Sequence, residues 1–191
     1  CAAAILGRRP DLAGRVLILD RARHPREKPC GGGLTGHVPG AMAALGLSLS
    51  VPAVDSAAAQ VVFGKTRRRV ALPQPVRVVR REEFDASLLA QAAARGAEVR
   101  QGEGLRDFTV EGGGVTVRAG AGPALRAKVL VGADGAGSLV RKRLLGHRER
   151  AAPRPLRLFR AELPLASPIG DEMVYDFTPM QEGLRGYVWL F

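Results

Sequence analysis

Three places in this sequence set a reactive or ligand-holding side chain where the backbone is least encumbered. "KPCGGGL" puts one thiol, Cys30, ahead of Gly31, Gly32 and Gly33. "VGADGAGS" puts one carboxylate, Asp134, between Gly132 and Gly135, and "RVLILD" ends an apolar run on Asp20. Glycine has no Cβ to hold a ligand away, so the second pattern suits backbone amides brought close to a phosphate-bearing ligand. A carboxylate closing the second strand of a βαβ unit is placed to accept hydrogen bonds from an adenosine ribose. Each residue also has a plainer reading. Asp20 suits a turn, Asp134 suits the cap of a helix over 138–145, and Cys30 suits an incidental thiol in a flexible loop.

These residues need elements to hold them. "CAAAILGRR" reads as a helix and "RVLILD" as a strand buried on both faces, as in a parallel sheet. "RHPREKPCGGGL" is a loop, since two prolines and three consecutive glycines suit no regular element. A small helix around 40–45 follows. "AQVVFGKTRRRVALPQ" alternates as a hairpin turning near Gly64, and "VRVV" is a further short strand. "RREEFDASLLAQAAARGAEV" places Phe84, Leu88 and Leu89 on one helical face, with acids in the first turn, Gly96 as the stop and a strand after it. Three antiparallel strands come next, "GLRDFTVE", "GVTVRAG" and "ALRAKVLVGAD", the last running through 128–132 into the Gly-Ala-Asp-Gly turn. After the helix, "APRPLRLFRAELPL", "EMVYDF" and "GYVWLF" read as strands of another sheet. In the last of them Tyr187, Trp189 and Phe191 alternate, so they share one face.

Composition excludes several classes. The chain has 191 residues, 46% of them hydrophobic, enough for one core or slightly more. No apolar run is long enough to cross a membrane as a helix. Two cysteines, Cys1 and Cys30, make neither a disulfide framework nor a zinc site, which points to a reducing compartment and the cytoplasm. No metal site is expected. Arg supplies all but four of the 29 basic residues behind a net charge of +11. They are scattered, with clusters only at "KTRRR" and "RKRLLGHRER", and 5% aromatics are too few to interleave as stacking platforms, so nucleic acid is not the expected partner. His24, His37 and His147 stand alone and receive no role.

"DRARHPREKPCGGGL", "VRREEFD", "VGADGAGSLVR" and "GYVWLF", in that order, resemble the geranylgeranyl reductase family of FAD-dependent oxidoreductases. That family lies within the larger glutathione-reductase-like group that includes the aromatic hydroxylases. The Gly-Ala-Asp-Gly run marks the larger group; "KPCGGGL" and the spaced aromatics mark the reductases. The resemblance implies an α/β fold: a Rossmann-like FAD-binding domain over 1–150, with a substrate-domain hairpin inserted near 58–80, and the start of an antiparallel substrate domain over 151–191. It implies that Asp20, Arg81, Gly132, Asp134 and Gly135 hold FAD, with Arg81 at the pyrophosphate. It also implies that Cys30 donates a proton beside the flavin, and that Gly31, Gly32, Tyr187, Trp189 and Phe191 bound an isoprenoid cavity.

The implied reaction is hydride transfer from reduced flavin to a carbon–carbon double bond of a prenyl chain, on a lipid, quinone or pigment, with NAD(P)H as donor. Such a substrate implies contact with a membrane surface. A flavin monooxygenase or halogenase is the alternative on the same cofactor domain, and a non-enzymatic basic binding module is the remote one. The phosphate loop belongs about 20 residues before Asp20, ahead of Cys1, and a later Gly-Asp segment belongs beyond Phe191. The sequence therefore reads as a fragment lacking the first strand, expected to be colourless, aggregation-prone and inactive by itself.

Overall fold

The computed structural model describes residues 2–146, 158–164 and 170–191. In chain order its elements are α1 (Ala2–Arg8), β1 (Leu17–Asp20), β2 (Gly33–Leu34), α2 (His37–Ala44), β3 (Ala53–Phe63), β4 (Thr66–Val79), α3 (Arg81–Ala94), β5 (Glu98–Gln101), β6 (Leu105–Glu111), β7 (Gly114–Ala119), β8 (Leu125–Ala127), α4 (Leu139–Leu145), β9 (Glu172–Asp176) and β10 (Val188–Leu190). Two short 3-10 turns, Pro10–Leu12 and Thr178–Glu182, complete the described structure.

β1 and β5 pair in parallel, with Leu17 opposite Glu98 and Asp20 opposite Gln101. α1 and α3 pack beside them: Ala3 and Leu6 meet Ala92 and Ala97, with Ile18 against the cluster. The small residues of α1 and the late turns of α3 allow this close approach. A second cluster joins Met42 of α2, Val79 at the end of β4 and Phe84 of α3, with Leu88 packed against it. Glu82 and Glu83 occupy the first turn of α3, where the helix dipole favours acids, and Gly96 follows its end with φ +89°. The two clusters thus tie α3 to both the parallel pair and the larger sheet.

That larger sheet has the order β10-β9-β3-β4-β2. β9 runs parallel to β3 and antiparallel to β10, so Val61, Tyr175 and Trp189 fall in line across three strands and share a face. Buried Ser56 locks β9 to β3: its Oγ donates to Asp171 O at 2.8 Å and accepts from Met173 N at 3.1 Å. The third sheet is an antiparallel meander, β6-β7-β8, carrying Val115, Val117 and Ala119 as its buried residues.

Several expectations change. β1 is half-buried throughout rather than buried on both faces, because β5 is its sole partner among the described residues. "VRVV" is no separate strand. It continues β4 past Pro73 and Pro75, where pairing with β3 lapses between Ala71 and Val76, as residues without an N–H dictate. β8 stops at Ala127, and 128–132 forms no strand. Val129 and Val131 remain 74% and 66% exposed, since no described strand lies beside them to complete a ladder. "EMVYDF" and "GYVWLF" are strands, but of the same sheet as the hairpin rather than of another. Of "APRPLRLFRAELPL", the described residues 158–164 hold no regular structure and leave Phe159 exposed; the rest lies outside the described residues.

Candidate functional site

Cys30 and Arg81, 51 residues apart in sequence, touch. The glycine loop enters β2, which pairs with the end of β4, and α3 starts immediately after β4, so its first residue faces the loop. Arg81 Nη1 donates to Cys30 Sγ at 3.2 Å, while Nε and Nη2 grip both oxygens of Asp85 at 2.9 and 3.2 Å. Arg26 stands 3.9 Å from the same carboxylate. Burial works against the Arg81 charge, but the Asp85 hydrogen bonds and charge outweigh it and hold the guanidinium above its ordinary pKa. Arg81 is thus a fixed cation beside a thiol. Asp85 was not singled out from sequence, although its i,i+4 spacing from Arg81 was a usable signal.

The glycines after Cys30 have steric reasons. A Cβ on Gly31 would lie 2.2 Å from the Phe191 ring and 2.9 Å from Trp189 Nε1. At Gly32, φ is +83° and a Cβ would lie 2.0 Å from Val79 O. The loop therefore runs directly beneath the aromatic strand. Tyr187, Trp189 and Phe191 line one face, and Tyr175 of β9 and Phe177 just past its end join them: Tyr187 lies 4.9 Å from Phe177 and 5.9 Å from Tyr175, and Tyr175 lies 5.9 Å from Phe191, ring centre to ring centre. Trp189 stands 5.9 Å from Tyr187. Burial, with Tyr187 adding to it, pushes the Tyr175 hydroxyl pKa up. Tyr175 and Phe177 escaped the sequence reading, since only strand pairing brings them to this face. Tyr187 and Phe191 stay 42% and 41% exposed, so the face is open to an apolar ligand.

Asp20 sits at the carboxyl end of β1, where open α/β sheets take nucleotides. Its Oδ1 accepts from Ala22 N at 2.9 Å and its Oδ2 lies 3.0 Å from His24 Nε2. Burial pushes the Asp20 carboxyl up, but these bonds and the charges of His24 and Arg26 hold it below the ordinary carboxylate range. Two contacts leave a carboxylate further lone pairs for ribose hydroxyls. His24, given no role from sequence, is the partner, with its Nδ1 buried and unpaired.

Asp134 caps α4. Its Oδ2 accepts from Leu139 N at 2.7 Å and Val140 N at 3.3 Å, and Oδ1 accepts from Ser138 Oγ. Ser138 Oγ in turn accepts from Arg141 N. Burial pushes this carboxyl up, but the Ser138 and backbone amide hydrogen bonds together outweigh it and bring it below its usual range. Gly132 serves packing: a Cβ there would meet Val140 Cβ at 2.7 Å. Gly135 has φ +80° and open space around it. The structure places this turn on α4, which Arg143–Asp107 ties to β6, whereas Asp20, Cys30, Arg81 and the aromatics are linked through the 21–31 segment and α3. A groove of about 640 Å³ between α1, α2 and Arg95 lies apart from these residues.

The residues present fit FAD. An acid ends a parallel strand and an exposed glycine-rich turn leaves backbone accessible at Gly135, while the Arg81 guanidinium is already held by Asp85 and Cys30. Parallel pair, meander and mixed sheet together make an α/β fold. The FAD binding domain family matches residues 4–164, and the chain belongs to that family.

An uncharacterized protein of Methanosarcina barkeri is 26% identical over 183 residues, covering 92% of this chain and 44% of the relative. A flavoprotein/dehydrogenase from Cytophaga hutchinsonii shares the fold with TM-score 0.68 and 19% identity, over 92% of this chain and 46% of that one. Halogenase PltM, solved with phloroglucinol and FAD, gives TM-score 0.61 and 22% identity over 76% of this chain and 33% of its own. The chain thus spans less than half the length of each of these three relatives.

Proposed function

We propose that the protein is an FAD-dependent oxidoreductase that reduces a carbon–carbon double bond of a prenyl, geranylgeranyl-type chain on a lipid, quinone or pigment, with NAD(P)H as donor. The observation that carries this reading is the meeting of Cys30, Arg81 and Gly31 with Trp189 and Phe191 in one place. Bound FAD would supply the hydride. The aromatic face would hold the apolar chain and keep water from it. Cys30 would give its thiol proton to the alkene carbon that does not receive hydride, and the fixed Arg81 charge would stabilise the thiolate left behind until solvent reprotonates it. Asp20 and the Gly132–Gly135 turn would hold the cofactor.

Monooxygenation or halogenation is the second reading, and the likeness in fold to halogenase PltM favours it more directly than it favours reduction. The two separate by oxygen and halide dependence. The full-length protein, purified, loaded with FAD and reduced without oxygen, should convert a prenyl alkene to its dihydro product, seen by mass spectrometry. Product formed only with oxygen, carrying an added oxygen or halogen, would replace the reductase reading. In the reductase, Cys30→Ser should slow turnover about 10²-fold or more at near-normal FAD content; unchanged turnover would remove the proton-donor role.

A further inference from the structure

The turn between β3 and β4 carries Phe63, Gly64, Lys65, Arg67 and Arg68 at one end of the five-stranded sheet. Phe177 N donates to Val62 O at 2.8 Å and Gly64 N donates to Thr178 Oγ1 at 3.0 Å, so the Thr178–Glu182 turn is fixed beside this tip. Three apolar side chains there are about half exposed: Phe63 at 51%, Met180 at 49% and Leu184 at 48%. The nearby cations divide in two. Farther along β4, Arg69 pairs with Glu172 and Arg77 with Asp55, whereas Lys65, Arg67 and Arg68 have no ion pair among the described residues. Arg67 acts on Asp176 only at longer range, and Glu182 is the other acid of this end. Basic charge therefore exceeds acidic charge around an exposed apolar tip.

We propose that this tip docks the protein onto an anionic lipid surface, with Phe63, Met180 and Leu184 entering the headgroup–acyl boundary and Lys65, Arg67 and Arg68 meeting lipid phosphates. Apolar side chains ringed by unpaired Lys and Arg match such a surface in both terms that govern peripheral binding, apolar area and headgroup charge. A second copy docked tip to tip about a two-fold axis would set the same cations against each other. Position adds to this. Phe63 lies on the sheet face shared by Val61, Tyr175 and Trp189, with Arg68 of β4 opposite Val61 on that face. The docking itself does not depend on the redox reading.

The test is co-sedimentation of the purified full-length protein with vesicles of phosphatidylcholine alone, or with about one third phosphatidylglycerol, at low and high salt. Binding should require the anionic lipid and weaken with salt. Changing Lys65, Arg67 and Arg68 together to Glu should lower partitioning on the order of a hundredfold, and Phe63→Ser about tenfold. A charge-matched triple on the meander, Arg106, Arg118 and Arg126 to Glu, should change it less than about twofold. Equal losses for both triples would assign binding to net charge and overturn the docking site. So would binding indifferent to anionic lipid, or a dimer in light scattering that Phe63→Ser dissolves. Vesicle binding is read without turnover, so it stands or falls apart from alkene reduction.

Discussion

The two glycine-rich segments, 30–33 and 132–137, look alike in sequence and do different work. In the first, glycines exist because other parts of the protein press against them: the Phe191 ring and Trp189 indole cover Gly31, and the Val79 carbonyl occupies the space of a Gly32 Cβ. In the second, most glycines face open space, and the polar residues are turned inward to finish a helix. Crowded glycine marks a site assembled from distant segments. Open glycine marks backbone left accessible, here beside a helix N-terminus. The same residue type therefore reports on packing in one place and on accessibility in the other.

Substitutions sharpen that contrast. Gly32→Ala meets both a clash with backbone and a left-handed φ, and should cost roughly 3–5 kcal/mol in urea unfolding while detaching β2 from β4. Gly31→Ala forces two aromatic rings aside and should cost roughly 1–3 kcal/mol, with a change in Trp189 fluorescence. Gly132→Ala, against Val140, belongs with it in size; a much smaller cost would show that α4 slides freely and that the second segment is open throughout.

Asp134→Ala should cost about 1 kcal/mol through the lost cap, and FAD titration of the variant separates capping from cofactor contact. Normal FAD affinity would leave Asp134 as a cap alone. The smallest effect concerns acid. Asp20 and Asp134 both have folded-state pKa values below the ordinary carboxylate value. Their stabilisation is therefore present above the unfolded pKa of about 4 and is lost as pH falls through the lower folded values. Asp20→Asn should flatten the acid limb of a stability–pH curve; an unchanged limb would show that the His24 contact contributes nothing.

Local chemistry was legible along the chain. Helix α3 announced itself through acids in its first turn and the glycine at its end, and the β3–β4 hairpin through alternation around Gly64. The cap made by Asp134 was readable because capping depends only on residues a few positions away. What failed was whatever depended on neighbours. The apolar residues at 128–132 suggest a strand, yet a strand needs a ladder partner, and none of the described strands lies beside them. β1 has the composition of a doubly buried strand and is half-buried for the same reason.

The sequence by itself determined most of the helices and hairpins and the FAD-binding class of the chain, because propensities, caps and glycine runs act over a few bonds. Only the tertiary structure decided which residues meet. Arg81 reaches Cys30 because β4 ends where α3 begins and β2 pairs with that end, and Tyr175 joins Trp189 because β9 and β10 share a register. Such contacts are fixed by long-range strand pairing, and the energy that selects one pairing over another is spread across the whole sheet rather than written in any single segment.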